Sequence, residues 1–225
     1  RIFAARGMRT EQSFCSISVV MILLNLNEEL YENDLRALLM AFYPGKSIVR
    51  QEKEGVQIRL TVQYDREASN VTMTLETENA VIKRQAAVHF SDKKQGKIDT
   101  KTLLYEICVE ETKRELPWGT LTGIRPTKIA MTMLNEGKTE QEIWDYMRNT
   151  MLCGEEKTKL SIQIAEKERA ILEKFDYKNG YSLYIGIPFC PTTCAYCSFT
   201  SYPIGKWQKQ VDEYLAHVEL ELDYI

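Results

Sequence analysis

The sequence predicts three consecutive parts: an α+β N-terminal module, a helical connector, and the first strand–helix unit of a larger parallel barrel or sheet. Apolar residues alternate with a period of two in several runs before residue 99, and they recur at helical spacing from residue 100 onward. After residue 179, a short apolar run leads into an amphipathic stretch. We therefore place the module at 21–99, the connector at 100–178 and the strand–helix unit at 179–225.

The module combines strand-like runs with one helix. Residues 55–64 and 70–76 alternate apolar and polar side chains with a period of two, and residues 21–27 alternate weakly, so all three are predicted strands. Residues 32–43 carry apolar side chains on one helical side, which predicts an amphipathic helix. Segment 80–90 fits either a strand or a helix. This mixture is typical of a small α+β domain.

The connector is predicted to consist of helices, with a break at 117–119 that opens a loop. A helix over 102–116 is followed by one that starts near Pro126, because proline suits a first helical turn. Gly137 fits the C-terminal cap of that second helix. Thr139 and Glu142 then form a capping-box pattern, which predicts the start of a third helix.

The strand–helix unit follows the last connector helix, predicted at 155–175, and a turn at 176–180. Residues 181–190 form a short run rich in aromatic and β-branched side chains, which predicts a buried strand of the parallel type. Residues 206–225 predict an amphipathic helix. One such unit cannot cover its own apolar faces, so we expect the domain that it opens to be incomplete at residue 225.

Composition limits the kinds of partner that the chain can have. It has 225 residues, a formal net charge of −3, and basic and acidic side chains that are mixed along its length. Binding to nucleic acid takes clustered positive charge, so no nucleic acid partner is expected. Three of the six cysteines crowd into eight residues and three are scattered, which is unlike a disulfide framework. We expect a reducing, cytoplasmic compartment.

The N-terminal stretch has some features of a signal peptide but not all of them. Residues 14–26 are apolar and follow several arginines, but no small-residue cleavage site comes after them. The apolar run is also too short to span a bilayer, which takes about 20 residues. We expect the native protein to start at Met21 and residues 1–20 to be a non-native upstream extension.

The cysteine cluster is the part of the sequence that predicts chemistry. Cys190, Cys194 and Cys197 have the spacing C-x3-C-x2-C directly after the predicted strand. Thiolates are the usual ligands of a [4Fe–4S] cluster, and three of them leave one iron without a protein ligand. That iron can bind the amino and carboxylate groups of S-adenosylmethionine (SAM), whose sulfonium bond the reduced cluster can then cleave to a radical.

Other interpretations of these cysteines stay open. Structural zinc takes four ligands, and neither His89 nor His217 has a suitable spacing to supply the fourth. A redox pair would use two cysteines and leave the third unexplained. The scattered Cys15, Cys108 and Cys153 are expected to be small buried apolar residues.

At this point a family resemblance can be stated. The segment YSLYIGIPFCPTTCAYCSF resembles the radical SAM signature of the oxygen-independent coproporphyrinogen III oxidase family. LPWGTLTGIRP and the opening MILLNLNEELYENDLRALLMAFYPG are similar to the HemZ branch, the coproporphyrinogen dehydrogenase-like proteins. The resemblance covers essentially residues 21–225. It implies that the strand–helix unit begins a radical SAM partial (βα) TIM-like barrel, here truncated.

The resemblance also implies roles for single residues. Cys190, Cys194 and Cys197 would bind the cluster, and Tyr184 and Tyr196 would contact SAM. The implied reaction is oxidative decarboxylation of the propionates of coproporphyrinogen III to vinyl groups in haem biosynthesis. An electron donor such as flavodoxin or ferredoxin is implied, and the 225-residue fragment is expected to be inactive.

Two positions depart from the family pattern. Well-studied oxidases have a fourth cysteine where this chain has Phe199 and a histidine where it has Gly186. A related branch that handles haem also lacks the fourth cysteine, so haem binding or transfer is the alternative function, and a zinc-stabilised module without activity is another. Arg125 could bind a propionate, although pinning a loop is the commoner role of such an arginine.

Overall fold

The fold is described from a computed structural model, which covers residues 20–123, 125–176 and 179–225. The chain divides into two compact units, one ending at Lys174 and the other running from Phe175 to Ile225. The predicted extension lies, apart from residue 20, outside the described residues. None of the described helices is long and apolar enough to cross a bilayer.

The first unit is built on a mixed five-stranded sheet with strand order β2-β1-β3-β4-β5. β1 pairs in parallel with β2 and with β3, whereas β3, β4 and β5 are antiparallel neighbours. Helix α1 (Glu32–Phe42) connects β1 to β2, because parallel neighbours need a crossover. The strands are β1 (Met21–Leu26), β2 (Ser47–Val49), β3 (Val56–Asp65), β4 (Asn70–Glu76) and β5 (Val81–Ala87).

Alternating apolar residues bury one side of this sheet. Leu60 of β3 and Met73 of β4 are fully buried, and on both strands the residues two positions before and after them are buried as well. Helix α2 (Lys93–Thr112) contacts α1, β4 and β5. Leu39 of α1 and Leu104 of α2 complete the core that the sheet and these two helices share. The predicted α+β module is therefore confirmed as a mixed sheet with helices.

Two elements of this unit differ from the sequence-based prediction. The three-residue β2 was not predicted because it is too short for a periodicity to appear, whereas segment 80–90, left open between strand and helix, contains the strand β5. Helix α2 begins at Lys93, nine residues before the predicted start. The Asp92 side chain caps it by accepting hydrogen bonds from the backbone N–H groups of Lys94 and Gln95, at 2.8 and 3.1 Å.

The remaining helices of the first unit have a second apolar core. Helices α3 (Thr127–Asn135) and α5 (Glu155–Leu172) contact each other, and α4 (Glu140–Asp145) continues into a π-helical turn, Tyr146–Thr150. Buried side chains from these segments form the core, including Ile143, Met147 and Ile162. Helix α2 crosses the proposed module–connector boundary at residues 99 and 100, and the domain boundaries stay predictions.

The predicted helix caps are confirmed. The Thr139 hydroxyl accepts the Glu142 N–H, and the Glu142 carboxylate accepts the Thr139 N–H at 2.8 Å, so the capping box is complete. Gly137 has a φ of 81° directly after the C-cap of α3, in the left-handed region that favours glycine.

The second unit has short strands and exposed apolar side chains. Strands β6 (Phe189–Cys190) and β7 (Tyr202–Pro203) pair in parallel. Helix α6 (Ile204–Trp207) and one 3-10 turn precede α7 (Val211–Tyr224), so the helix predicted from residue 206 is interrupted.

The buried strand predicted over 181–190 is not formed, apart from β6. Residues 181–188 have no strand pairing, and Tyr184 and Ile187 are 90% and 64% exposed. A buried parallel strand needs partner strands and covered faces. Among the described residues, β7 is the partner of this segment, and it pairs only with β6. The order strand, cysteine loop, helix matches the prediction, whereas the partial barrel is not confirmed.

Candidate metal centre

The cysteine loop, residues 190–201, is held at both ends by backbone pairing. Phe189 and Cys190 of β6 face Tyr202 and Pro203 of β7 in parallel register. The Tyr202 N–H also donates a hydrogen bond to the Pro188 carbonyl at 2.8 Å. The two ends of the loop therefore lie side by side, and Cys190, the first cysteine of the motif, is part of this small ladder.

The three cysteines of this loop are free of disulfide bonds and differ in exposure. Cys194 is exposed, and Cys190 and Cys197 are half-buried. The Cys197 N–H donates to the Cys194 carbonyl at 3.0 Å, which turns the chain between these two cysteines. The Cys197 Sγ lies 3.8 Å from the Phe199 carbonyl oxygen. None of these three cysteines is buried, unlike those of the first unit.

In the described part of the chain, no three side chains of His, Cys, Asp or Glu are grouped to hold a metal ion. The three thiols share one loop without converging, so their assignment as cluster ligands stays a prediction. Their chemistry fits an iron–sulfur cluster, because the donors are all sulfur and unbonded. A four-cysteine zinc site would need a further thiol, and Cys108 and Cys153 are buried in the cores of the first unit.

The aromatic residues around the loop do not form a core. Tyr184 and Tyr196, the predicted SAM contacts, are each 90% exposed. The rings of Phe189 and Tyr214 pack edge to face with centroids 5.4 Å apart. The role of Tyr184 and Tyr196 in cofactor binding remains a prediction.

Gly186 lies beside α7 rather than in a crowded strand. The Tyr214 hydroxyl donates a 2.6 Å hydrogen bond to the Gly186 carbonyl. A Cβ added at Gly186 meets no heavy atom within 4 Å, so packing among the described residues does not require glycine there. His217, one turn further along α7, has its Nδ1 2.7 Å from the Glu213 carbonyl oxygen, which marks that nitrogen as the protonated one.

The cysteines of the first unit are buried, as predicted, and Cys15 lies outside the described residues. Cys108 and Cys153 are both fully buried. Burial raises the pKa of both thiols above the ordinary range, that of Cys153 to about 11. The Cys153 thiol donates to the Trp118 carbonyl at 3.3 Å. Both thiols stay protonated near neutral pH and are unreactive.

A cavity in the first unit was missed by the sequence analysis. It has a volume of about 580 Å³ and lies between α2, α3 and the loop that joins them. Arg125, singled out from the sequence as a loop or carboxylate-binding residue, lines it together with Lys101. The available signal was the spacing of Lys94, Lys97 and Lys101, which places three lysines on one side of α2.

Comparison with known proteins finds a relative of the kind that the cysteine motif resembles. A curated relative from Bacillus subtilis (strain 168) is described as an oxygen-independent coproporphyrinogen-III oxidase-like protein, HemZ. The two sequences are 27% identical over 208 residues, which cover 89% of this chain and 42% of the relative. The chain thus spans about two fifths of the relative's length. No protein-family model and no solved structure matches the chain. The resemblance predicted from the motif is confirmed: over most of its length, this chain is similar to a HemZ coproporphyrinogen-III oxidase-like protein.

Proposed function

We propose that this chain is part of a longer radical SAM oxidoreductase of the coproporphyrinogen dehydrogenase-like kind. The observation that carries the proposal is the C-x3-C-x2-C set of free thiols on the cysteine loop, in a chain similar to a HemZ-like relative. Three sulfur ligands on one loop suit a [4Fe–4S] cluster with one open iron better than they suit four-coordinate zinc.

In this proposal, Cys190, Cys194 and Cys197 bind three irons through their thiolates. When bound, the cluster and SAM supply one-electron cleavage of the SAM sulfonium bond. The chain's own residues hold and orient these groups. The exposed rings of Tyr184 and Tyr196 offer apolar faces and a hydroxyl to the cofactor. The pairing of β6 with β7 keeps the loop in place while the ligands bind.

The substrate class comes from the relative's description. We propose a porphyrinogen substrate and oxidative decarboxylation of the propionates of coproporphyrinogen III to vinyl groups, which would give protoporphyrinogen IX. Each propionate would lose one hydrogen atom, one further electron and carbon dioxide. The reaction would therefore need an electron donor for SAM cleavage, for which flavodoxin or ferredoxin is proposed, and an acceptor for that further electron. We also propose a cytoplasmic location and assign turnover to the longer protein, because the chain spans about two fifths of its relative.

A haem-binding or haem-transfer protein is the second candidate. It is favoured by Phe199, which is 82% exposed at the place where well-studied oxidases carry a fourth cysteine. It is also favoured by Gly186, where they carry histidine. A protein of this kind would keep the cluster and lose the decarboxylation.

Anaerobic reconstitution of the full-length protein tests these functions in order. Iron and sulfide analysis should give about four of each per chain, and the spectrum of the reduced cluster should respond to SAM. The oxidoreductase should then form 5′-deoxyadenosine together with vinyl product from coproporphyrinogen III. Deoxyadenosine or bound haem without vinyl product would support the second candidate. One tightly bound zinc per chain, with no cluster spectrum, would contradict both.

A further inference from the structure

The cavity between α2 and α3 has a strongly basic rim. Lysines from both helices and an arginine from the loop before α3 surround it, with two acidic side chains among them. Five basic and two acidic residues leave three net positive charges, although the whole chain has a formal net charge of −3. Positive charge collected in a concave, low-dielectric surface raises the local concentration of anions. The basic residues are Lys94, Lys97, Lys101, Arg125 and Lys128.

Lys101 is the unusual member of this set, because it is only 6% exposed. Lysine is almost never fully buried unless it is paired. Its Nζ donates a 3.0 Å hydrogen bond to the Thr122 hydroxyl, and among the described residues no carboxylate lies within 4 Å of it. The nearby Asp34 is paired at 2.7 Å with Lys97. Burial lowers the pKa of Lys101, so its charge costs the fold stability.

An ammonium group has three N–H donors, and Thr122 accepts one of the three. An anion bound in the cavity would accept from another donor and neutralise the buried charge. Arg125, which is exposed on the same cavity, adds a planar donor group that can grip two oxygens at once. These two side chains therefore supply both a buried and an accessible contact for one ligand.

The rest of the cavity lining is a set of apolar side chains together with three threonines and one tyrosine. A small inorganic anion would leave the apolar side chains of the cavity in contact with water. An uncharged apolar molecule would form no ion pair with the lysines and the arginine. A ligand that satisfies both surfaces combines anionic groups with an apolar body, the usual composition of small-molecule sites. The apolar wall consists of Ile98, Leu121, Ile129, Met133 and Met151.

The placement of the lysines has no explanation in helix stability. Helices α1, α4 and α5 each carry acidic residues in the first turn, where they favour the helix dipole. Helices α2 and α3 carry none there, and Lys94 and Lys128 occupy those turns instead. Cations at helix N-termini are unfavourable, so the helix dipole does not account for Lys94 and Lys128.

We propose that this cavity binds an amphipathic organic anion, with Lys101 and Arg125 donating to its carboxylate or phosphate groups and its apolar body in contact with the apolar lining residues. The site lies within the first unit and uses none of the cysteine loop. It would therefore bind with or without a cluster, whatever reaction the longer protein catalyses.

Binding of three probes to the 225-residue chain tests the proposal. The probes are coproporphyrin III, which carries four carboxylates, its uncharged tetramethyl ester, and ATP, with inorganic phosphate as competitor. Fluorescence titration or equilibrium dialysis gives each dissociation constant. Either coproporphyrin III or ATP should bind, and that result identifies the carboxylate or the phosphate source. Inorganic phosphate should compete weakly because it cannot use the apolar wall.

Variants decide whether the binding is at this cavity. Lys101→Met and Arg125→Gln should each weaken binding of the organic anion about tenfold or more, the usual effect of losing a charged hydrogen bond. Lys83→Gln, an exposed lysine on β5 outside the cavity, should change it less than about twofold. Lys101→Met should also melt at the same or a higher temperature, because it removes a buried charge.

The proposal would be overturned if neither organic anion bound, if the tetramethyl ester bound as tightly as coproporphyrin III while ATP did not bind, or if both variants bound like the parent chain. Arg125→Gln keeps the test valid if Lys101→Met fails to fold, since Arg125 is exposed. A cluster-free chain with intact binding would support the cavity site even if the proposed oxidoreductase function failed.

Discussion

The two units treat cysteine in opposite ways. In the first unit, Cys108 and Cys153 are fully buried, and burial raises the pKa of each thiol. In the second unit, Cys190, Cys194 and Cys197 lie on one loop, and none of them is buried. The same side chain is thus a small apolar core residue in one place and a candidate ligand in the other.

This contrast shows that surroundings, and not residue type, determine what a cysteine does. A thiolate is the form that binds metal, and a dry core suppresses it. The cysteine loop offers solvent and a short spacing instead. If the comparison is right, changes in either unit should affect one property and leave the other intact.

Cys194→Ala should have the largest effect, because it removes one of three proposed cluster ligands. We expect the reconstituted, full-length protein to lose nearly all of its cluster, with iron and sulfide falling well below half of the parent values. Cys153→Ala, the matched control, should keep its iron. Equal iron contents in the two variants would remove the proposed distinction between the units.

Gly119→Ala should have the next largest effect, confined to the first unit. Gly119 has a φ of 56°, and a Cβ there would lie 2.1 Å from the Met151 carbonyl oxygen. Both the strained conformation and the clash with backbone should lower the free energy of unfolding by about 3 kcal/mol or more. Urea denaturation measures this loss. At temperatures where the variant stays folded, cluster content should match the parent; a proportionate loss of cluster would show that the units are not independent.

Cys153→Ala should change how stability depends on pH. The Cys153 thiol has a folded pKa of about 11, whereas an unfolded thiol ionises near pH 8.5. The stability that the folded state gains from keeping this proton is complete below about pH 8.5 and is lost as the pH rises toward 11. The parent should therefore lose about 3 kcal/mol more than the variant over that interval. Chemical denaturation at both ends of it measures the difference, and parallel losses would contradict the raised pKa.

Thr139→Ala should have the smallest effect. It removes the hydroxyl that caps α4 and half of the capping box with Glu142. The expected loss in the free energy of unfolding is about 1 kcal/mol. Thr139→Ser keeps the hydroxyl and should stay close to the parent. A loss as large as that of Gly119→Ala would mean that the hydroxyl does more than cap a helix.

The sequence was most informative where the local pattern decides the structure. Strand alternation in 55–64 and 70–76 and the capping box at Thr139 were confirmed, because they depend on neighbours a few residues away. The start of α2 was missed because Asp92 leads into a lysine-rich, weakly amphipathic turn. The cysteine spacing was visible, whereas the arrangement of its sulfurs around a cluster stays a prediction.

What the sequence could not predict depends on distant contacts. The strand expected over 181–190 needs partners on both sides, and its own residues cannot provide them. The cavity arises where Lys101 of α2 meets Thr122 and Arg125, more than twenty residues along the chain. Lysines are usually exposed, so the periodicity of apolar residues does not predict that Lys101 is buried.

The pairing of β6 with β7 has a further consequence for how the cysteine loop would take up metal. A free peptide carrying three cysteines must give up many conformations before its sulfurs can meet, and that loss of entropy opposes capture. Here the ends of the segment are already tied by the Phe189–Tyr202 and Cys190–Pro203 register. Part of the ordering is therefore complete before any ion arrives, and an isolated peptide of the same sequence should load more weakly than the folded chain.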